Sequence, residues 1–224
     1  MGKDSKATPK NWPPTLSYLR QPLYASHLTK EQLNALASRE PDLEYEIPLS
    51  LPKGPSTLVK ITAIAQPTHP ANGQAGLFAT RNLAPGSLIL PYYGIVHSDL
   101  ALPQDNSEHE KSDYDLRIDR DACLAVDAAK SGNEARFVND YRGVRDRPNA
   151  DFRECWDLRL KQKSMAVFVL PAGKNATRKG EGWIAKAACI GSLLIVSSEI
   201  GEEICVSYGK GFWDNRRDEG SEEL

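Results

Sequence analysis

The sequence predicts a mainly β protein with short helices, an α+β arrangement of several small sheets. Three observations point there. From Leu58 onward brief apolar runs alternate with turn residues: LVKITAIA, GLFATR, SLILPYYGIV, YDLRI, CLAVDA, MAVFVL, SLLIVS and ICVSYG. Gly and Pro, 16 and 15 of 224 residues, interrupt the chain too often for long elements to dominate. No amphipathic stretch of crossover-helix length separates consecutive runs, which argues against a doubly wound parallel sheet and the dehydrogenase folds built on it.

Taken in order, residues 1–57 read as an N-terminal arm. Pro9, Pro13, Pro14 and Pro22 deny its first part, to about residue 25, a regular ladder of backbone hydrogen bonds, and Trp12, Tyr18 and Tyr24 are its candidate anchors. One short helix follows: Thr29 with Gln32 three positions on resembles a capping box, Leu33, Leu36 and Ala37 supply its apolar face, and Pro41 ends it. The strand-rich domain spans 58–215 and carries two polar insertions, near 102–112 and 172–183, expected as exposed loops. Residues 216–224 form a charged tail. Arg142, Arg145 and Arg147 read as a solvated basic loop in a chain of net charge −2.

That charge removes the main electrostatic reason to propose nucleic acid or an anionic membrane as a direct partner. The apolar runs fall far short of the roughly 18 residues needed to cross a bilayer. The first residues lack the apolar stretch of a secretory signal, and Lys6 breaks the myristoylation pattern after Gly2, so an intracellular location is expected. Cys123, Cys155, Cys189 and Cys205 have no CxxC spacing and no nearby paired His, so they read as reduced thiols and not as a zinc site. Cys123, Cys189 and Cys205 lie in apolar runs, where cysteine behaves as a small buried hydrophobe. P-loop, GxSxG, HExxH and GxGxxG patterns are absent.

What remains is a set of separated segments. They are Gly76-Leu77-Phe78-Ala79 with a Pro-Gly turn and Tyr92-x-Gly94, a lone Tyr114, Arg136-Phe137-Val138-Asn139 followed by Pro148-Asn149, and Gly201-Glu202-Glu203-Ile204 through Ser207-Tyr208-Gly209. In order and content these resemble the SET domain, the protein-lysine methyltransferase family, over roughly Leu58 to Trp213. The resemblance implies a cluster of small β-sheets whose last segment threads past the Arg-Phe-x-Asn segment as a pseudoknot. It also implies S-adenosylmethionine (AdoMet) as cofactor, S-adenosylhomocysteine as product, and a protein or peptide substrate whose lysine enters from the opposite face.

Carried over by position, the resemblance implies Tyr208 as the catalytic hydroxyl. Tyr114 stands where a second channel tyrosine sits, with core packing an equal alternative. Ala75, Gly76, Leu77, Arg136, Phe137, Asn139, Asp140 and Trp213 join these two tyrosines as implied cofactor contacts. Val206 and Phe212 are implied in the substrate channel, the small Val206 leaving room for more than one methyl group. Phe212 and Trp213 could stack on adenine, wall the channel or pack the core. Gln74 departs from the family's first glycine and Asp140 from its histidine. Two functions therefore follow: AdoMet-dependent methyl transfer to a protein lysine, or a SET-like module without turnover that binds peptides or scaffolds. No cysteine follows Tyr208 in this sequence, so the zinc-binding tail of many relatives is not expected. Protein purified without chelators is expected to contain no stoichiometric zinc; one tightly held zinc per chain by metal analysis would contradict this.

Overall fold

Thr29 forms the capping box its spacing predicts: its hydroxyl accepts from the Gln32 backbone N–H, and the Gln32 side chain accepts from the Thr29 N–H. In the computed structural model, which describes residues 8–100, 109, 112–171 and 200–209, that box starts helix α1, Lys30–Leu36. Leu36 is buried, whereas Leu33 is exposed, so the helix docks by a narrower stripe than its apolar residues suggest.

The strands, in chain order, are β1 (Ser17–Tyr18), β2 (Leu23–Tyr24), β3 (Glu46–Ile47), β4 (Val59–Ala63), β5 (Ala75–Ala79), β6 (Leu88–Pro91) and β7 (Ile95–Ser98). They continue with β8 (Asp115–Asp119), β9 (Leu124–Asp127), β10 (Ser131–Gly132), a 3-10 turn at Glu134–Phe137, β11 (Asn139–Asp140), β12 (Ala150–Asp157), β13 (Gln162–Val169) and β14 (Cys205–Val206). Two four-stranded sheets, ordered β3-β12-β13-β6 and β2-β7-β9-β8, accompany the pairs β4-β5, β1-β10 and β11-β14. The protein is therefore mainly β, in several small sheets, as predicted.

Three differences from expectation have local causes. The run SLILPYYGIV is two strands in different sheets: β6 pairs with β13 and β7 with β9. The crossing needs Gly94, where a Cβ would lie 2.2 Å from the Asp127 carbonyl oxygen. The arm is more ordered than its prolines suggest, because β1, β2 and β3 each add a two-residue parallel strand to a body strand, too short to show a sequence period. Strand β12 gives no strand signal in sequence because ADFRECWD is charged, yet its eight residues pair throughout with β13. Cys123 also differs: it sits half-buried in the β8–β9 turn with φ +53, not within a strand, while Cys155 and Cys205 are buried.

Most of the core is one cluster, including Ile61, Leu77, Ile89, Val126, Val167 and Val206. The two larger sheets are tied by Lys163 of β13, whose ammonium bonds Asp119 of β8 at 2.5 Å and also Glu40. Arg145 of the expected solvated loop instead bonds Glu202 at 2.5 Å, and Arg142 bonds Asp140. His109 and Ser112, in the first insertion, fold back onto Asp127. The 172–183 insertion, the SLLIVS run, Cys189 and the 216–224 tail lie outside the described residues. No helix among the described residues is long and apolar enough to cross a membrane.

The closing segment around β14 is clamped by Asn149. Its Nδ2 donates to the Glu203 carbonyl at 2.9 Å, its Oδ1 accepts from Cys205 N–H at 2.8 Å, and its backbone N–H donates to the Cys205 carbonyl at 3.1 Å. Asn149→Ala strands a buried donor and a buried acceptor together, each worth about 1–3 kcal/mol. We expect urea unfolding to show a loss of about 2–4 kcal/mol, larger than for alanine replacement of the exposed Arg147.

Candidate functional site

The parallel pair β11–β14 sets Asn139 opposite Cys205 and Asp140 opposite Val206, joining the Arg-Phe-Val-Asn segment to the closing one. Beside this pair lies a cleft of about 330 Å³ whose walls include Gln74, Ala75, Tyr114, Arg136, Phe137, Asn139, Asp140 and Tyr208, with His69 at its margin. Seven of the positions proposed from sequence thus meet around one cavity. A second hollow of about 320 Å³, bounded by Tyr92, Leu116, Val138, Asp151 and Phe152, shares Asp113, Tyr114, Arg136 and Tyr208 with the first. Those four residues form the partition between the two spaces.

Each side of the partition is held by specific bonds. Tyr208 donates its hydroxyl to the Val138 carbonyl at 2.7 Å, and its backbone N–H donates to Asp140 Oδ2 at 2.8 Å. Asp140, buried, also receives the Arg142 backbone N–H and guanidinium. Burial, followed by the neighbouring Tyr114 and Asp140, pushes the Tyr208 phenol well above its ordinary pKa of 10.0, so it remains a hydrogen-bond donor. The Arg136 guanidinium lies 4.3 Å from the Tyr114 ring centre and donates to the Ala128 carbonyl at 2.9 Å. It therefore lines the cleft and fixes the chain around it. The arm contributes as well, since Trp12 packs edge-on against Phe137 with ring centres 5.7 Å apart.

A buried carboxylate that sequence reading left without a role organises the inner wall. Glu203 Oε1 accepts from Asn139 Nδ2 at 2.8 Å, and Oε2 lies 2.9 Å from His69 Nε2. His69 Nδ1 accepts from Ala71 N–H at 3.0 Å, which assigns the proton to Nε2 and makes His69 the donor to Glu203. Asn139 also points Nδ2 toward the Ala75 carbonyl at 3.5 Å, so its nitrogen faces protein acceptors and its oxygen is left to accept from a ligand. Glu203 stands in the quoted Gly-Glu-Glu-Ile segment without an assigned role, and His69 stands in a turn 134 residues away, so their pairing carried no local signal.

The remaining proposed residues are placed differently. Leu77 and Val206 are fully buried in the core, and neither side chain borders the two spaces. Gly76 adjoins the site from behind: a Cβ there would lie 2.5 Å from Glu203 Oε1 and 3.1 Å from Asn139 Nδ2. The glycine makes room for the carboxylate. Phe212 and Trp213 lie outside the described residues. No group of three or more His, Cys, Asp or Glu able to hold a metal is found among the described residues.

A family model described as the SET domain matches residues 74–209, more than half of the chain. No curated protein matches. Among solved structures, the chain is similar to a humanized mutant of the Chaetomium thermophilum Polycomb Repressive Complex 2 bound to an inhibitor, at 18% identity and TM-score 0.45, covering 69% of this chain and 15% of that one. It is also similar to an active polycomb repressive complex 2 in the basal state, at 19% identity and TM-score 0.41, covering 61% and 14%. The chain thus spans about a seventh of the length of these structures.

The crowding at Gly76 gives a test of the inner wall. Gly76→Ala must displace the Glu203 carboxylate, and Glu203→Ala leaves two donors without their acceptor, so each should cost about 2–4 kcal/mol in denaturant unfolding. Because the second change vacates the space the first needs, the double variant should be at least about 1 kcal/mol more stable than additivity predicts. Simple additivity would show that the two sites do not share that space.

Proposed function

The chain belongs to the SET domain family, and from that membership we propose that it transfers a methyl group from AdoMet to a lysine side chain of a protein substrate. The observation that carries the proposal is the partition: two spaces of similar size that meet at Tyr114, Arg136 and Tyr208. A methyl donor on one side and an amine on the other can approach only there.

The residues of the first cleft fit the cofactor. Its volume, about 330 Å³, lies at the lower end of the range for small-molecule sites. Asn139 offers an uncommitted amide oxygen suited to an ammonium group, Phe137 and Tyr114 offer aromatic faces, and Ala75 and Asp140 complete the wall. When bound, AdoMet supplies an electrophilic methyl on a sulfonium.

The second hollow meets the needs of a lysine. Asp113, Asp115 and Asp151 at its boundary favour approach of a cation, while Tyr92, Val138 and Phe152 favour the neutral amine once inside. Free lysine, with a pKa near 10.4, is neutral in only about one molecule per thousand at pH 7, so this discrimination matters. Tyr208 donates its hydroxyl hydrogen to the Val138 carbonyl, and a phenol oxygen is also an acceptor for an amine N–H. The amine nitrogen's own lone pair then stays free for attack. With its pKa raised, Tyr208 aligns the nucleophile and is not its base.

Asp140 and Gln74, the two departures from the family pattern, favour a second reading in which the fold binds a peptide without turnover. Measuring AdoMet binding and then labelled methyl transfer into a cell extract separates the two. Binding without any transfer, or no binding, would favour the module.

Tyr208→Phe isolates the hydroxyl. Losing one preorganised polar contact should lower the single-turnover rate about a hundredfold, some 3 kcal/mol of barrier. Stability should fall by only about 1 kcal/mol for the lost bond to Val138, and AdoMet affinity should change little. A variant that methylates at the parent rate would remove Tyr208 from the mechanism.

A further inference from the structure

The cluster that flanks Tyr114 on the side away from the cofactor cleft contains two stacked histidines that the chemistry above does not use. His97 in β7 is only 2% exposed. Its Nε2 lies 2.9 Å from Asp115 Oδ1 and its Nδ1 lies 3.0 Å from the Ser98 carbonyl. Both ring nitrogens thus face acceptors, an arrangement that only the doubly protonated imidazolium satisfies. The His109 ring stacks on it, with centres 3.9 Å apart and planes 15° from parallel. His109 Nδ1 lies 2.6 Å from Asp127 Oδ2.

From these carboxylates the network reaches Tyr114 by two routes. Asp115 is the next residue in the chain. On the other route, Ser112 donates to Asp127 Oδ1 at 2.7 Å and accepts the Tyr114 backbone N–H at 3.1 Å. The Tyr114 carbonyl is held by the Tyr92 hydroxyl at 2.7 Å and by Ala128 N–H at 3.1 Å, and Arg136 covers the ring. Residues on both sides of Tyr114 are therefore fixed by partners of the histidine pair.

We infer that His97, in its charged form and backed by His109, is a positioning residue that sets the Tyr114 ring in the partition, so that the site's order is coupled to one buried proton. The titratable groups facing His97 are Asp115 from β8, Asp127 from β9, His109 from the first insertion, and His27, whose Nε2 accepts the Ser98 N–H at 3.5 Å. Burial works against charge on His97, but its bond to Asp115, that residue's charge, the Ser98 carbonyl and Asp127 outweigh it, and its pKa lies above the ordinary 6.5. The sign follows: with the folded value raised, the contacts are complete at low pH and are lost as pH rises through it. The loss therefore falls on the alkaline side of 6.5, opposite to the gain an amine nucleophile draws from rising pH.

The inference rests on the reading of Tyr114 as a site tyrosine, and its test begins without a cofactor. In the free protein, NMR titration from pH 6 to 9 should show the Tyr114 ring resonances following the His97 ring proton with one shared midpoint. S-adenosylhomocysteine affinity, measured by calorimetry, should fall roughly fivefold across that midpoint. By linkage the ligand should raise the His97 midpoint. His97→Gln should make both profiles flat. If that variant does not fold, Asp115→Asn should lower the His97 midpoint and carry the Tyr114 transition down by the same amount. A Tyr114 ring unmoved while His97 titrates, or a parent profile shared by His97→Gln, overturns the inference. Absence of S-adenosylhomocysteine binding at every pH would instead count against the proposed methyl transfer, and the ring titration would still decide the role of His97.

Discussion

The docking of the closing segment beside Asn139 and Asp140 is the constraint on which the site depends. Seven residues, 202–208, bond to three separate parts of the chain. Glu202 and Ile204 pair with Ala79 and Leu77 of β5, Cys205 and Val206 lie parallel to β11, and Asn149 holds the Glu203 and Cys205 backbone groups. The same docking places Glu203 under Asn139 and Tyr208 against Val138. Without it both spaces lose Tyr208, the wall they share.

The segment brings charge into the interior, and its neighbours are arranged to accommodate that. Glu203 is buried yet has donors on both oxygens, which is the condition under which a buried carboxylate is tolerated. Asp140 meets the same requirement through Tyr208 N–H and Arg142. The carboxylate of Asp140 thereby anchors the closing segment at the edge of the cleft.

How much of this was legible in the sequence follows from range. Strands β4, β5, β9 and β13 announced themselves because each is several residues of apolar character between turns, and Thr29 with Gln32 marked the helix start within four residues. Arg136, Asn139 and Tyr208 were legible because they sit in contiguous motifs resembling a known domain. His69 gained no role because its partner Glu203 is 134 residues away; Asn149 and Glu203 stood in the quoted segments, but their bonds span 56 and 64 residues, distances of which local patterning carries no trace. Strand β12 was hidden for another reason: its charged residues obscured the period, and its burial follows no strict alternation.

The parallel pairing of residues 66 positions apart also has a kinetic meaning. Parallel strands distant in sequence gain nothing until the chain between them has closed, so contacts of this kind form late in folding. The cleft should thus be among the last parts of the molecule to exist, both during refolding and during synthesis, when Glu203 and Tyr208 emerge well after β5 and β11. Until then Leu77 and Val138 lack their partners Ile204 and Tyr208, and this is the interval in which the chain is most exposed to association with other chains.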